Sequence, residues 1–194
     1  MNFYKPNVLP HLMVAPNGAR PKKKDHSEVP VTISEIVSTA KTCFDAGAGA
    51  IHFHIRDKKE KHVLDPVLCR EALVELQKVV PKMHLQITTE AVGRYSPDQM
   101  RKLAYDVMPP GISIGLKEMI PTNKPNSEDI KLYKHLTEFG IKIQHICYEP
   151  NDINLLSELL DKSKISKIGT WCMFVIGHYS GKISKPKKIN SFIE

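Results

Sequence analysis

The chain has 194 residues, 41% of them hydrophobic, and its 28 basic and 21 acidic residues give a formal net charge of +7. This length and hydrophobic content suffice for a sizeable core, so we expect a single domain over residues 1–194. The basic excess includes two short clusters, PKKK at 21–24 and KPKK at 185–188, without an RNA-binding or zinc-finger signature, so we expect no nucleic-acid partner.

Membrane and disulfide-stapled classes are also disfavoured. No stretch approaches the roughly 18 continuous apolar residues of a membrane span, and the opening MNFYKPNVLP has no apolar signal-peptide core. We therefore expect a cytoplasmic protein with no membrane partner. No pair of cysteines forms C-x-x-C, which argues against a disulfide framework or a zinc knot and for buried thiols. The cysteines are Cys43, Cys69, Cys147 and Cys172.

Short apolar runs alternate with amphipathic stretches along the chain. The first amphipathic stretch begins with Thr32 and Glu35 spaced as a capping box, and the second begins with Asp65 before Pro66. The predicted strands are 11–15, 50–55, 84–90, 111–119, 141–149 and 170–179. The predicted helices are 32–47, 65–80, 96–107, 127–140 and 151–162.

This alternation predicts an α/β fold with a parallel sheet covered by helices. Two architectures fit, a doubly wound open sheet and a (β/α)8 TIM-type barrel. No G-x-G-x-x-G opens a helix, which disfavours the dinucleotide-binding version of the open sheet. A complete barrel needs eight strands and about 250 residues, so this chain would supply about six of the eight βα units.

Polar residues collect where the predicted strands end. In parallel α/β proteins the carboxyl ends of the strands form one rim, where function concentrates. If the strands share one direction, these side chains should converge there. They are Asn17, Arg20, His52, His54, Thr88, Thr89, Glu90, Ser113, Lys117, Glu118, Tyr148, Glu149, His178 and Tyr179.

His52 and His54 stand out within the apolar run AIHFHI. Side chains two apart on a strand point to the same face, so both imidazoles can bind one cation, and neutral imidazole suits zinc. The alternative is a pair of buried histidines hydrogen-bonded to neighbouring strands. Zinc would need a further protein ligand, and Glu90, Glu118 and Glu149 are the available carboxylates.

Several motifs together resemble the β-keto acid cleavage enzyme family, whose best-described member is 3-keto-5-aminohexanoate cleavage enzyme. They are VAPNGARPKKKDHSEVPVTISEI, AGAGAIHFHIRD, LQITTEAVGRYSP, SIGLKEMIP and FVIGHY, in this order. The resemblance implies a TIM barrel in a homo-oligomer, usually a tetramer, with one divalent metal, typically zinc. It also implies a reaction in which a β-keto acid and acetyl-CoA yield acetoacetate and a new acyl-CoA.

The resemblance assigns roles to individual residues. His52 and His54 match the metal ligands, whereas Asn17, Arg20, Thr88 and Ser113 match substrate-binding positions. The aminohexanoate enzyme carries an acidic residue where this chain has Arg20. An arginine there would repel a cationic substrate tail and favour an anionic or polar one; alternatively, it makes a structural ion pair.

The carboxyl end of the chain departs from the family pattern. The resemblance implies a third metal ligand, a glutamate in a motif like R-x-G-x-E-[DN]-N on the last barrel strand, with a catalytic arginine just before it. No such motif is present, and Glu194 does not match it. We therefore expect a truncated barrel. Two alternatives stay open: an inactive barrel that only binds metal or a partner, and a metal hydrolase of the amidohydrolase type, which also uses H-x-H.

The lysines of the 21–24 cluster have two interpretations. Lys22 to Lys24 either contact the phosphates of CoA or belong to a solvated loop, and the general behaviour of charge runs favours the loop.

Overall fold

The computed structural model describes residues 3–177 and 184–193. Strands and helices alternate through this part of the chain. The strands are β1 (Met13–Val14), β2 (Ala50–Phe53), β3 (His84–Thr88), β4 (Gly111–Gly115), β5 (Lys142–Cys147) and β6 (Trp171–Phe174). The helices are α1 (Ile33–Asp45), α2 (Pro66–Val79), α3 (Pro97–Val107), α4 (Leu116–Met119), α5 (Ser127–Glu138) and α6 (Asn151–Ser163), followed by a 3-10 helix (Pro186–Phe192).

The strands form one parallel sheet in the order β1-β2-β3-β4-β5-β6. A doubly wound sheet reverses its strand order at a switch point, whereas a barrel adds each strand beside the previous one. The sequential order therefore decides between the two predicted architectures. The sheet is a curled half-barrel, a partial (β/α)8 barrel, as the sequence predicted.

The predicted helix starts are confirmed because they depend on local hydrogen bonds. Thr32 and Glu35 form the predicted capping box at α1. The Asp65 side chain accepts hydrogen bonds from the first turn of α2, and Ser96 forms a second box with Gln99 at α3. Such caps satisfy backbone N–H groups that have no partner within the helix.

The two faces of the sheet differ in polarity. Side chains that point toward the helices are apolar and fully buried, as at Ile51, Phe53 and Ile87, and form the core. Alternate positions point into the half-barrel. Register places His52 beside Gln86 on this inner face, which is largely polar. A second inner row, in strand order, is Thr88, Ser113, Gln144 and Trp171.

The predicted fourth strand was too long. The sequence favoured 111–119, but β4 ends at Gly115 and α4 begins at Leu116. Leu116 and Met119 are three residues apart and both are buried, which is the spacing of a helical turn. The other strands are also shorter than predicted at one or both ends. His178 and Tyr179, predicted at the end of the sixth strand, lie outside the described residues.

The predictions on membrane segments and cysteines can be compared with the described residues. Within residues 3–177 and 184–193, no helix combines the length and apolar character needed to cross a bilayer. Cys69 and Cys147 are buried as predicted, whereas Cys43 and Cys172 are only half-buried, and all four thiols are free.

Candidate functional site

Two imidazoles face each other on the inner side of β2. His52 lies within the strand, His54 follows it, and their Nε2 atoms are 3.0 Å apart. Two zinc–nitrogen bonds of ordinary length at a tetrahedral angle place the nitrogens about 3.3 Å apart. The two ring nitrogens are therefore spaced much as two ligands of one cation would be.

Gln86 on β3 fixes the orientation of His52. Its Oε1 lies 2.7 Å from His52 Nδ1, and the Gln86 side chain is fully buried. An amide oxygen only accepts hydrogen bonds, so His52 carries its proton on Nδ1 and presents an unprotonated Nε2. His54 then donates through Nε2, which leaves its Nδ1 buried without a hydrogen-bond partner. If the His54 proton moved from Nε2 to Nδ1, both histidines would present an Nε2 lone pair to a cation.

Glu90 lies on the other side of the His54 ring. Its Oε2 is 3.8 Å from His54 Nδ1, and its Oε1 accepts a hydrogen bond of 2.8 Å from Arg20 Nη1. Carboxylates often orient a metal-binding histidine from this side of the ring. Of the carboxylates predicted as ligands, Glu90 is the one beside the histidines, and it faces the nitrogen that points away from His52.

Burial keeps the paired imidazoles neutral. Desolvation lowers the pKa of His52, although the hydrogen bond to Gln86 partly opposes this shift. Desolvation, with the nearby charges of other cationic groups, holds the pKa of His54 well below its ordinary value. Neutral imidazole is the form that binds metal ions, so the charge state of the pair suits a cation.

Asn17 holds the β1 loop against the histidine strand. Its Nδ2 donates to the carbonyls of His54 and Pro30, at 3.0 and 2.9 Å, and its Oδ1 accepts from the His54 N–H at 3.0 Å. The sequence analysis assigned Asn17 to substrate binding. In the structure its amide fixes the backbone of His54, and it therefore sets the position of that imidazole.

Thr88 and Ser113 lie next to each other on β3 and β4, with their hydroxyl oxygens 3.4 Å apart. Thr88 Oγ1 also accepts a hydrogen bond from the backbone N–H of Glu90. A cavity of about 130 Å³ opens above the pair. Its walls include His52, His54, Thr88, Glu90, Tyr148 and Met173. Five residues predicted for the rim thus line one cavity, which we call the histidine cavity.

The other two candidate carboxylates point elsewhere. Glu118 follows β4 on the turn of α4, and its Oε2 accepts a hydrogen bond of 3.1 Å from the Ala91 N–H. Burial raises the pKa of Glu118. Glu149 forms an ion pair with Lys117. Each is therefore engaged outside the histidine cavity.

The residues partly fit a divalent metal. His52 and His54 would supply two nitrogen ligands, and the orphaned Nδ1 of His54 would regain a proton once its Nε2 bound a cation. Across residues 3–177 and 184–193, however, no three His, Cys, Asp or Glu side chains are grouped so that they could hold a metal ion. Protein zinc sites usually have three or four protein ligands, so this part of the chain supplies two of them.

Sequence reasoning missed His62, which packs against the pair. Its ring centroid lies 4.9 Å from that of His54, and its Nε2 lies 3.0 Å from the Glu90 carbonyl oxygen. Burial lowers the pKa of His62 to about 4. His62 comes after a turn that brings it back beside Arg56. The sequence spacing therefore did not indicate that it lies close to His54. Gln86 was also missed, although its period-two spacing with Thr88 marked the same strand face.

Sequence comparisons place the chain among enzymes of known activity. A family model described as beta-keto acid cleavage enzyme matches residues 11–194. A 3-oxoadipate:acetyl-CoA acetyltransferase of Cupriavidus necator is 33% identical over 78 residues, covering 40% of this chain and 28% of the relative. The 3-keto-5-aminohexanoate cleavage enzyme of Acetoanaerobium sticklandii is 24% identical over 177 residues, covering 89% of this chain and 64% of the relative. The chain therefore spans less than two thirds of either relative.

Solved structures share the fold. ObcA bound to oxaloacetate superposes with a TM-score of 0.63 at 14% identity, covering 77% of this chain and 37% of that chain. ObcA in a ternary complex with a C4-CoA adduct and oxalate gives 0.59 at 13% identity, with coverages of 80% and 40%. At these identities the likeness concerns the fold alone. Because the family model matches almost the whole chain, the chain belongs to the β-keto acid cleavage enzyme family.

Proposed function

We propose that this chain carries the histidine half of a metal-dependent β-keto acid cleavage site. In the proposed reaction the CH2–carboxylate unit of a β-keto acid is transferred to the acetyl group of acetyl-CoA, which gives acetoacetate. The remaining acyl group is transferred to the CoA sulfur. The observation that carries the proposal is the pair of Nε2 atoms 3.0 Å apart in a chain of this family. The names of both relatives support it.

We assign some residues of the chain to cation binding and others to substrate binding. A divalent cation, zinc in the first instance, would be bound by His52 and His54 and would supply Lewis-acid stabilisation of negative charge on the keto oxygen. On binding, His54 would move its proton from Nε2 to Nδ1, where the Glu90 carboxylate can accept a hydrogen bond. Glu90 is thus proposed to orient a ligand, not to be one, and Gln86 does the same for His52.

Substrate binding is proposed for Thr88 and Ser113, because Thr88 lines the histidine cavity and Ser113 supports its hydroxyl. Arg20 pairs with Glu90 and leaves 48% of its side chain exposed, so its positive charge lies at the rim. This guanidinium would repel a cationic substrate tail. We therefore propose a β-keto acid with an anionic or polar tail, and the relative named for 3-oxoadipate, a dicarboxylate, supports that choice.

The test combines metal content with turnover. Protein of verified intact mass is loaded with zinc, desalted and analysed for metal per chain. It is then assayed for acetoacetate from acetyl-CoA and a panel of β-keto acids. We expect bound zinc and a preference for dicarboxylic keto acids. Preference for 3-keto-5-aminohexanoate would contradict the Arg20 assignment. Hydrolysis without CoA would replace the proposal with a metal hydrolase.

A second candidate is metal or partner binding without turnover. It is favoured by the two-ligand set, since the described residues supply no third donor to the pair. Two imidazoles alone would hold zinc weakly, and a further donor would have to come from outside the described residues, for example from another copy in a homo-oligomer. Zinc bound without acetoacetate formation on any keto acid of the panel would favour this candidate.

A further inference from the structure

A second cavity is lined by Arg20, whose ion-pair partner Glu90 lines the histidine cavity. It has a volume of about 330 Å³, and its walls carry four cationic side chains: Arg20, Lys22, Lys61 and Arg94. One carboxylate, Glu60, lines it as well. We call it the rim pocket. An excess of positive charge around a concave surface focuses potential and attracts anionic ligands.

The cations come from three separate loops. Arg20 and Lys22 follow β1, Lys61 follows β2 and Arg94 follows β3. The sequence analysis singled out only the lysines of the first group, with a solvated loop as their favoured interpretation. The fold instead adds cations from two more loops around the same cavity. Lys23, by contrast, pairs with Glu35 at the start of α1 and does not line the pocket.

Partly buried hydrogen bonds join these loops to one another. The Arg56 guanidinium is buried and donates to the carbonyls of Gly18, Pro21 and Glu60, which joins the β1 loop to the β2 loop. Arg94 donates to the His62 carbonyl and so joins the β3 loop to the β2 loop. A pocket whose walls are set before the ligand arrives loses less conformational entropy on binding.

We propose that the rim pocket binds a phosphate group, and specifically a phosphate of the CoA thioester. This inference rests on the proposed function, because acetyl-CoA is its second substrate. The reaction must take place beside His52 and His54, whereas the phosphates of CoA lie at the other end of the pantetheine arm. A phosphate subsite should therefore lie outside the histidine cavity, and the rim pocket is a separate cavity linked to it by the Arg20–Glu90 ion pair.

The test measures binding and does not depend on turnover. Lys22 and Lys61 line the pocket and have no part in the metal or keto-acid assignments, so the variant is Lys22→Gln/Lys61→Gln. The matched control, Lys24→Gln/Lys59→Gln, removes two exposed lysines from the same two loops outside the pocket. Calorimetry then gives the Kd of CoA, of an acyl-pantetheine that lacks the nucleotide phosphates, and of inorganic pyrophosphate.

We expect the pocket variant to bind CoA about tenfold or more weakly than wild type, because it loses two charge-assisted hydrogen bonds to phosphate. The control should stay within about twofold, and acyl-pantetheine should bind all three proteins alike. Added salt should weaken CoA binding more for wild type than for the variant. Zinc content should be unchanged, which separates this effect from damage to the histidine cavity.

Three outcomes would overturn the assignment. The first is CoA binding that is weakened equally in both double variants. This result would attribute the effect to the overall positive potential of the protein and not to the pocket. The second is weaker pyrophosphate binding with an unchanged Kd for CoA, which would indicate a free-phosphate site. The third is wild-type protein that does not bind CoA at all. If the protein forms acetoacetate and the pocket variant has an unchanged Kd for CoA, the proposed function remains supported and only the assignment of the rim pocket is rejected.

Discussion

The two faces of the sheet show how one set of strands serves two purposes. In β2, Ile51 and Phe53 point toward the helices and are buried in the core, whereas His52 between them points into the half-barrel. The helix-facing side chains are apolar and contribute stability through burial. The inner side chains form hydrogen bonds with each other and make the candidate site. Adjacent residues therefore differ in what they contribute, and substitutions at neighbouring positions should have different effects.

The largest expected loss of stability comes from the outer face. Phe53→Ala removes a fully buried ring and should lower the free energy of unfolding by about 3–5 kcal/mol. The matched substitution His52→Ala, one residue earlier, truncates a half-buried side chain on the inner face and should cost about 1 kcal/mol. Urea denaturation of both metal-free variants measures the difference. Equal losses would mean that the two faces do not divide the roles in this way.

When zinc affinity is measured, the inner-face substitutions should have a larger effect than the outer-face substitutions. His52→Ala and His54→Ala each remove one of two nitrogen ligands and should lower zinc affinity by more than about a hundredfold, beyond the usual effect of an outer-shell partner. Competition with a chromophoric chelator measures this affinity. A conservative outer-face variant, Ile51→Val, should leave it unchanged. Normal zinc affinity in either histidine variant would show that the metal is bound elsewhere.

A smaller effect is expected for Gln86, which touches a proposed ligand but not the cation. Gln86→Leu removes the acceptor that holds His52 and should weaken zinc binding by about 10–100-fold. Gln86→Glu keeps an acceptor at the same place and should restore most of the affinity. Absorption spectra of the cobalt-loaded variants would report changed ligand geometry. If Leu and Glu weakened binding equally, packing and not the hydrogen bond would be responsible.

A further loss of stability is expected from the close packing of the inner face. A Cβ at Gly111 would lie 2.6 Å from His84 Nε2 and 3.0 Å from the Leu85 carbonyl oxygen. Gly111→Ala should therefore lower the free energy of unfolding by about 1–3 kcal/mol through overpacking. Ser113→Ala, on the same face of the same strand, adds no atoms and should cost less. Thermal unfolding of both variants shows whether the loss of stability comes from the clash at Gly111 or from any substitution on this face of the strand.

The local features of the fold were predictable. Thr32, Asp65 and Ser96 cap helices through contacts within three residues, so short sequence windows suffice to find them. The mistaken end of β4 arose because GISIGLKEM reads as one apolar run, and the buried pair of Leu116 and Met119 becomes clear only once the turn packs against the core. A short apolar run does not by itself distinguish strand from helix.

The candidate site was predictable in part. The two histidines share a face because of the strand period, and Thr88 and Ser113 meet because β3 and β4 are neighbours. The choice among the three glutamates was not predictable. Glu90 lies beside His54, whereas Glu118 turns back on the Ala91 backbone. The direction of each side chain depends on how its loop leaves the strand, and that depends on contacts between distant residues.

The sequence by itself determined the alternation of strands and helices, the positions of the caps and the two histidines on one face. Each of these follows from backbone geometry over a few residues, which is the same in any fold. The tertiary structure alone decided that the strands follow one another into a half-barrel, that Arg20 pairs with Glu90 across 70 residues, and that three loops bring their cations to one pocket. These contacts join residues far apart in the chain, so they depend on the curvature of the whole sheet and on the packing of its loops.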